Sequence, residues 1–539
     1  MMSDKTAEST KKPNIIVILN DDMGYSDIGC YGGEIDTPNL DRLANGGLRF
    51  THFYNTARCS PSRASLLTGL HPHQTGIGVL VDDDGPEGYR GNLNKNCVTI
   101  AEVLRDFDYR TYMTGKWHVA NNITDVNDSW PLQRGFDRYY GILAGSCNYF
   151  YPWTLTRDND NVEAEALGGE FYFTDAISDN ASQFIKDHVA KHGDQPFFQY
   201  VAYTAPHWPL HAKEEDIAKY KGKFDAGWEK LRHEKIKRMK DMGIIKEDWE
   251  LSTRDVTYHA EELTWDEVKH KEWELRRMEV YAAQIDRMDQ GIGRIVQTLE
   301  ETGQLENTLI VFLADNGGCA EGLEPLPSDN IPKNWGRTSD GSPVAFGNRS
   351  DVMPGAETTF QSYGASWANL SNTPFRLYKC WVHEGGIATP FIVHWPEEII
   401  AAGQLRHTAC QLTDIMATIL DITGAPYPNQ YNDHPILPPE GTSMRSLFSS
   451  DDHAQDRLLF WEHEGNGAVR SGDWKLVGNY PGDWELYNMA KDRSETCNLA
   501  ENHSEKVAWL KAEYEKWSTR CDVKPREKIL ELMEKRKKV

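Results

Sequence analysis

Cys59 opens the segment Cys59-Ser60-Pro61-Ser62-Arg63-Ala64-Ser65-Leu66-Leu67-Thr68-Gly69. Residues 62–68 suit a helix, which puts Cys59 near a helix N-terminus. Free backbone N–H groups and the helix dipole favour an anion there. Arg63 adds a permanent cation one turn away, suited to holding an oxyanion. A second group is acidic: Asp21-Asp22 and Asp315-Asn316. If both pairs meet, they form an all-oxygen site that favours Ca²⁺ or Mg²⁺ over zinc. Three carboxylates that close would repel one another unless a cation sat between them. A third group is basic: Lys116 and His118 in Gly115-Lys116-Trp117-His118, His207 after Thr204-Ala205-Pro206, and Lys379 ahead of Glu384-Gly385-Gly386. Taken singly, each is weak. A lone Cys is usually an inert buried residue, and Asp and Asn commonly cap turns.

The elements around them share one plan, in which an apolar run breaks off in polar residues. Residues 14–19 (NIIVIL) run into Asn20-Asp21-Asp22, and 309–314 (LIVFLA) into Asp315-Asn316. Residues 197–203 (FFQYVAY) lead to His207, and 110–114 (RTYMT) to Lys116 and His118. Continuous apolar runs of this length suit strands buried on both faces of a mainly parallel sheet. Helices lie between them. Thr37-Pro38 starts one, and residues 279–301 place Ile285, Met288, Ile292, Ile295, Val296 and Leu299 on one face. Strand–helix alternation predicts an α/β sheet whose ligands bind beyond the carboxyl ends of its strands, so the polar endings should cluster at one edge.

The Cys59 segment resembles the maturation motif of the sulfatase family, C-x-P-S-R-x4-T-G, at every fixed position. The resemblance implies that a maturase converts Cys59 to formylglycine. It maps Asp21, Asp22, Asp315 and Asn316 onto metal-ligand positions, with the modified Cys59 completing the surroundings. Gly115-Lys116-Trp117-His118 resembles the family's G-K-W-H segment, although the Leu-Gly that often follows is Val119-Ala120 here. Thr204-Ala205-Pro206-His207 resembles the segment bearing the second active-site His, and Lys379 the lysine ahead of E-G-G. The implied catalytic set is Cys59, Arg63, Lys116, His118, His207 and Lys379. Of these, Lys116, His207 and Lys379 would bind the sulfate. His71, His73 and Trp208 are expected to line the pocket. The resemblance runs from Asn14 to the C-terminal part, including TPNLDRLANGG and RSGDWKLV. It looks closest to bacterial arylsulfatases and implies an alkaline-phosphatase-like fold.

The expected activity is hydrolysis of sulfate monoesters, with formylglycine and a Ca²⁺ (or Mg²⁺) ion. An exo-acting carbohydrate sulfatase is the main alternative. A phosphoester or phosphonate hydrolase of the same fold is disfavoured because Asp315 is followed by Asn rather than His. A thiol phosphatase would need five residues between Cys and Arg, and there are three. A non-catalytic binding relative would have lost part of the cradle, and none is lost.

The 539 residues suit one large domain and a smaller one. We expect a catalytic domain over 13–425, with a Lys-, Glu- and Trp-dense helical insertion at 211–275 and a long loop at 319–375 that walls the pocket. A Pro-rich linker then leads to a small α+β domain at 440–535, with short antiparallel strands, a turn at Gly465-Asn466-Gly467 and a closing helix at 504–518. Selectivity would reside in residues 80–92, 145–175, 211–275 and 319–375. The net charge of −24 disfavours nucleic acid and anionic membranes as partners but allows a small anion in a local basic pocket. The nine cysteines form no C-x-x-C pair and fit no zinc or disulfide framework. There is no apolar run long enough to span a membrane. The start MMSDKTAESTKKPN has no signal-peptide core. As written it suggests a cytoplasmic protein, or a periplasmic or secreted one if a leader has been removed.

Overall fold

The computed structural model describes residues 11–255, 263–451 and 457–536. The apolar runs form strands of an eleven-stranded sheet. Its principal strands are β1 (Asn14–Asn20), β2 (Leu48–Tyr54), β3 (Arg110–Lys116), β4 (Arg138–Ile142), β5 (Phe197–Ala202), β6 (Thr308–Ala314) and β7 (Ala388–His394). They lie in the order β2-β7-β6-β1-β5-β3-β4, with two-to-three-residue strands at the edges. The run β6-β1-β5-β3-β4 is parallel, with Ile15 opposite both Leu309 and Phe198. Strand β7 runs antiparallel to both β6 and β2. Its N-terminal end therefore lies at the edge where β1, β2, β3, β5 and β6 finish.

Both faces of the sheet are covered. Ile16 and Ile18 point into one core, and Ile15, Val17 and Leu19 into the other. This is why β1 reads as a continuous apolar run rather than an alternating one. On the first face pack α1 (Pro38–Asn45), α3 (Phe173–His192) and the long α4 (Lys271–Glu301), which buries all six residues expected on its apolar side. Helix α2 (Cys59–Thr68) packs on the other face through Ala64, Leu66 and Leu67.

The 211–275 segment is less helical than expected. It holds helices Glu214–Ala218 and Trp228–Asp241 and the start of α4. Residues 242–255 follow irregular backbone, with Ile244, Ile245 and Trp249 buried in the core. Residues 256–262 lie outside the described residues. The 319–375 loop is mostly irregular, with two-residue strands Ala345–Phe346 and Thr359–Phe360 and a helix Ala365–Ser371.

The C-terminal part forms a four-stranded antiparallel sheet of β8 (Leu458–His463), β9 (Asn466–Ser471), β10 (Trp474–Gly478) and β11 (Trp484–Asn488). Helix α5 (Ser504–Arg520) closes it by burying Leu510 against Val469, Leu476 and Leu486. The turn here is tighter than the sequence suggests: Asn466 and Gly467 already pair with His463 and Glu462. A further helix, Arg526–Arg536, packs Ile529 on Val79 and Tyr89. Among the described residues no helix is long and apolar enough to cross a membrane.

Candidate active site

The sheet carries the predicted residues to one edge. Asp21 and Asp22 follow β1, α2 with Cys59 follows β2, Lys116 ends β3, His207 follows β5, and Asp315-Asn316 follow β6. Lys379 stands before β7 rather than after a strand because β7 is the antiparallel one among the principal strands. All ten predicted residues are buried. Gly317 allows the close approach of two of these loops, since a Cβ there would lie 1.8 Å from the carbonyl oxygen of Gly385. Asp22 and His118 both hold left-handed backbone, φ 65° and 52°. Non-glycine residues adopt it at a cost of about 1–3 kcal/mol and mostly where function demands it.

Cys59 is the first residue of α2, and Arg58 is the extended residue before it. One turn on, the Arg63 guanidinium donates to the Lys116 carbonyl at 2.9 Å and to Asp315 Oδ2 at 2.8 Å, and lies 3.5 Å from Asp21 Oδ2. It thereby joins the ends of β1, β3 and β6. Lys116 Nζ donates to Asp21 Oδ2 at 2.5 Å, and Lys379 Nζ to Asp22 Oδ2 at 2.8 Å. His207 Nε2 lies 3.4 Å from that same Asp22 oxygen and 3.4 Å from Lys379 Nζ. Asn316 Nδ2 donates to Asp22 Oδ1 at 2.7 Å.

These contacts set the protonation pattern. Burial opposes charge on Asp21, but Lys116, His207, Arg63 and Lys379 override it and hold its carboxyl below the usual range. Asp315 is pushed the other way by burial and by the negative charge of Asp21. Burial, with Lys116 and Arg63, keeps the His118 imidazole neutral by lowering its pKa well below the ordinary value. Burial also lowers that of His207, and the neighbouring Asp22 offsets part of this.

The site fits a divalent cation. Asp21 Oδ1 and Asn316 Oδ1 are buried oxygens without a hydrogen-bond partner, which is costly unless something else satisfies them. Asp21, Asp22 and His207 each bring a ligand atom within 4.8 Å of one another. Asp315 instead turns its Oδ2 to Arg63, and its Oδ1 accepts from the Asp22 backbone N–H at 3.2 Å. The carboxylates Asp21, Asp22 and Asp315 are matched by Arg63, Lys116 and Lys379, so an added dication would leave the positive excess that an anionic ester needs. Oxygen donors suit Ca²⁺ or Mg²⁺.

His118 sits across from Ser60, whose Oγ lies 3.1 Å from His118 Nδ1. Gly145 gives the ring room: a Cβ there would lie 2.4 Å from His118 Nε2. His71 and His73 do not line this pocket. His73 Nε2 pairs with Glu462 Oε2 at 2.7 Å, and both rings stack edge-on against Trp517 of α5. Short polar residues after α2 simply meet the C-terminal sheet. Trp208 does lie beside His207, with ring centroids 4.5 Å apart.

Glu321 and Arg58 were not anticipated. Glu321 Oε1 accepts from Arg58 at 2.9 Å, and its Oε2 accepts from Trp208 Nε1 at 2.9 Å and lies 3.7 Å from Lys379 Nζ. Their only sequence signal is proximity, Arg58 directly before Cys59 and Glu321 six residues after Asp315.

Comparison with known proteins follows the same lines. A family model described as Sulfatase matches residues 13–425, and one described as N-sulphoglucosamine sulphohydrolase, C-terminal, matches residues 375–519. An arylsulfatase of Klebsiella aerogenes is 34% identical over 456 residues, covering 82% of this chain and 93% of that protein. An uncharacterized sulfatase of Schizosaccharomyces pombe is 33% identical over 504 residues, covering 88% and 87%. The crystal structure of Ps i-CgsB in complex with k-i-k-neocarrahexaose superposes with a TM-score of 0.66 at 28% identity, covering 94% of this chain and 93% of that one.

Proposed function

The chain belongs to the sulfatase family and is a sulfuric ester hydrolase; from that premise we propose that it is an arylsulfatase whose working residues are the ten at this sheet edge. The observation that carries the reading is their convergence. Six chain segments bring a carboxylate and amide cluster, three buried cations and two neutral imidazoles around the start of α2.

In this family a formylglycine supplies the oxygen nucleophile as its hydrate, and a metal ion supplies Lewis acidity and charge neutralisation. Here Asp21, Asp22, Asp315 and Asn316 would hold the ion, and Ca²⁺ suits their donors. Around position 59 the roles divide by geometry. Arg63, locked by Asp315 and the Lys116 carbonyl, fixes the nucleophilic oxygen and a sulfuryl oxygen without reorganising. Asp315, whose carboxylate is held in place by Arg63 and the Asp22 backbone N–H, accepts the proton given up as attack begins. Lys116, Lys379 and His207 hold the remaining sulfuryl oxygens, and His207 or Lys379 protonates the departing oxygen. His118, kept neutral, accepts the later proton whose removal expels sulfate. Every residue of the maturation segment from Cys59 to Thr68 is buried in the folded chain, so a maturase would have to read it before folding. The same reading divides the chain into a catalytic domain over 13–425 and a small domain over 440–535; within the latter, residues 452–456 lie outside the described residues.

A carbohydrate sulfatase is the second reading, favoured by the oligosaccharide held in the 28%-identical structural relative. The test is inorganic sulfate release by maturase-co-expressed protein. 4-Nitrophenyl sulfate is run beside a panel of sulfated mono- and disaccharides, with 4-nitrophenyl phosphate as control. Faster release from the aryl ester supports the first reading and faster release from one sugar supports the second. Release of phosphate alone sinks both.

A further inference from the structure

Trp208 directly follows His207, and its half-buried indole leads into an aromatic cluster. The Trp335 and Phe360 rings lie 5.7 and 5.8 Å from Trp208, and Phe346 lies 5.0 Å from Phe360. Val344, Leu323, Leu326 and Ile331 complete the patch. This wall belongs to the 319–375 loop, and Trp208 is its member nearest the sulfate-binding side chains. The edge of the indole is pinned by one group, Glu321, through the 2.9 Å bond from Nε1. Glu321 is itself fixed. Arg58 donates to its other oxygen, Lys379 stands 3.7 Å away, and its backbone carbonyl accepts from Ser362 Oγ at 2.6 Å. It therefore touches a neighbour of Cys59, a neighbour of His207, and Lys379 itself.

We propose that Trp208 is the platform on which the leaving group of the ester lies, and that Glu321 is the positioning residue that sets its plane. The leaving group it suits presents a flat or apolar face, as an aryl ring does. An indole free to rotate is a poor platform, because each encounter must order it again. An indole held at its N–H by a half-buried, charge-fixed carboxylate presents one face, and ring–ring contact on such a face is worth enough to shift affinity about tenfold. The carboxylate is suited to the task, since Lys379 and Arg58 outweigh burial and keep it ionised well below the usual range. This inference rests on the sulfate-ester reading above.

The experiment separates the two. Variants W208A, W208F, E321A, E321Q, E321A/W208A and E321Q/W208F are assayed on 4-nitrophenyl sulfate for kcat and KM, and for competitive inhibition by inorganic sulfate, which reports the sulfate cradle alone. W208A and E321A should each raise KM about tenfold, and the double variant should go no further, because Glu321 acts through Trp208. E321Q keeps an acceptor for the indole N–H and should return KM to within about threefold of the parent. W208F keeps a ring without the N–H, so adding E321Q to it should change KM less than twofold. Inhibition by sulfate should stay within about threefold of the parent in both Trp208 variants. Additive effects of E321A and W208A, an unmoved KM in W208A, E321Q as impaired as E321A, or sulfate inhibition lost in step with KM in W208F would each overturn the platform. A parent enzyme that releases no sulfate from any ester refutes the sulfatase reading instead.

Discussion

Replacing Lys379 with Met removes a cation whose two jobs have opposite signs. Its ammonium lies 2.8 Å from Asp22 Oδ2, and both side chains are 2% exposed. At an effective dielectric of 20 that contact is about 6 kcal/mol of gross attraction, and breaking a buried pair on one side typically costs about 3–5 kcal/mol. The metal-free variant should therefore unfold at clearly lower urea concentration than the metal-free parent. A dication at the acids competes with that same ammonium for Asp22. Ca²⁺ should consequently bind K379M on the order of tenfold more tightly than the parent and recover most of the lost stability. Catalysis moves the other way: kcat/KM for 4-nitrophenyl sulfate should fall about 10²–10³-fold, as when one preorganised donor to developing charge is lost. The assays are urea denaturation in EGTA and in excess Ca²⁺, calorimetric Ca²⁺ titration, and steady-state kinetics. Weaker Ca²⁺ binding together with undiminished kcat/KM would show that Lys379 serves the metal rather than the sulfate.

Cys59→Ala should abolish sulfate release while near-UV circular dichroism and Tm stay close to the parent, since a buried Cys-to-Ala change costs only about 1 kcal/mol; retained turnover would refute the proposed nucleophile. EGTA treatment should remove activity and Ca²⁺ should restore it, whereas recovery with Zn²⁺ but not with Ca²⁺ or Mg²⁺ would contradict the oxygen-donor assignment. A pH effect on stability should arise outside the ten-residue cluster, at Glu384. Burial opposes its ionisation, but Lys475 at 2.9 Å and Arg493 at 2.7 Å dominate and hold it at about 2. A carboxyl depressed on folding stabilises above its unfolded value and loses that contribution as pH falls from about 4.5 toward about 2. Lys475→Met should then shift the acid-unfolding midpoint upward, and an unchanged midpoint would count against this buried network.

The local features were legible because they depend on near neighbours in the chain. Periodicity located β1, β3, β5 and β6 to within a residue or two and the six-residue face of α4, while the helix expected over 62–68 begins three residues earlier, at Cys59. Residue chemistry pointed to the acids, the cations and the oxygen donors of the candidate metal site. His71 and His73 were misassigned because closeness in sequence to α2 says nothing about which side of the sheet a loop returns to; they pack against Trp517, more than four hundred residues away in the chain. The partial loss of helix in 211–275 has a similar cause. Charge density suggested an exposed helical face, but Ile244, Ile245 and Trp249 are drawn into the core and override local propensity.

By itself, then, the sequence determined the reaction class, through the motif that resembles the sulfatase family, and named the candidate groups, since residue types and short-range spacing are properties of the chain. Only the tertiary structure decided how those groups pair. It set Lys116 on Asp21 and Lys379 on Asp22, left Asp21 Oδ1 and Asn316 Oδ1 open, and closed Glu321 over Arg58 and Trp208. The physical reason is the sheet order. One antiparallel strand, β7, between β2 and β6 turns the Lys379 segment back to the edge where the parallel strands end, and no local pattern encodes which strands become neighbours.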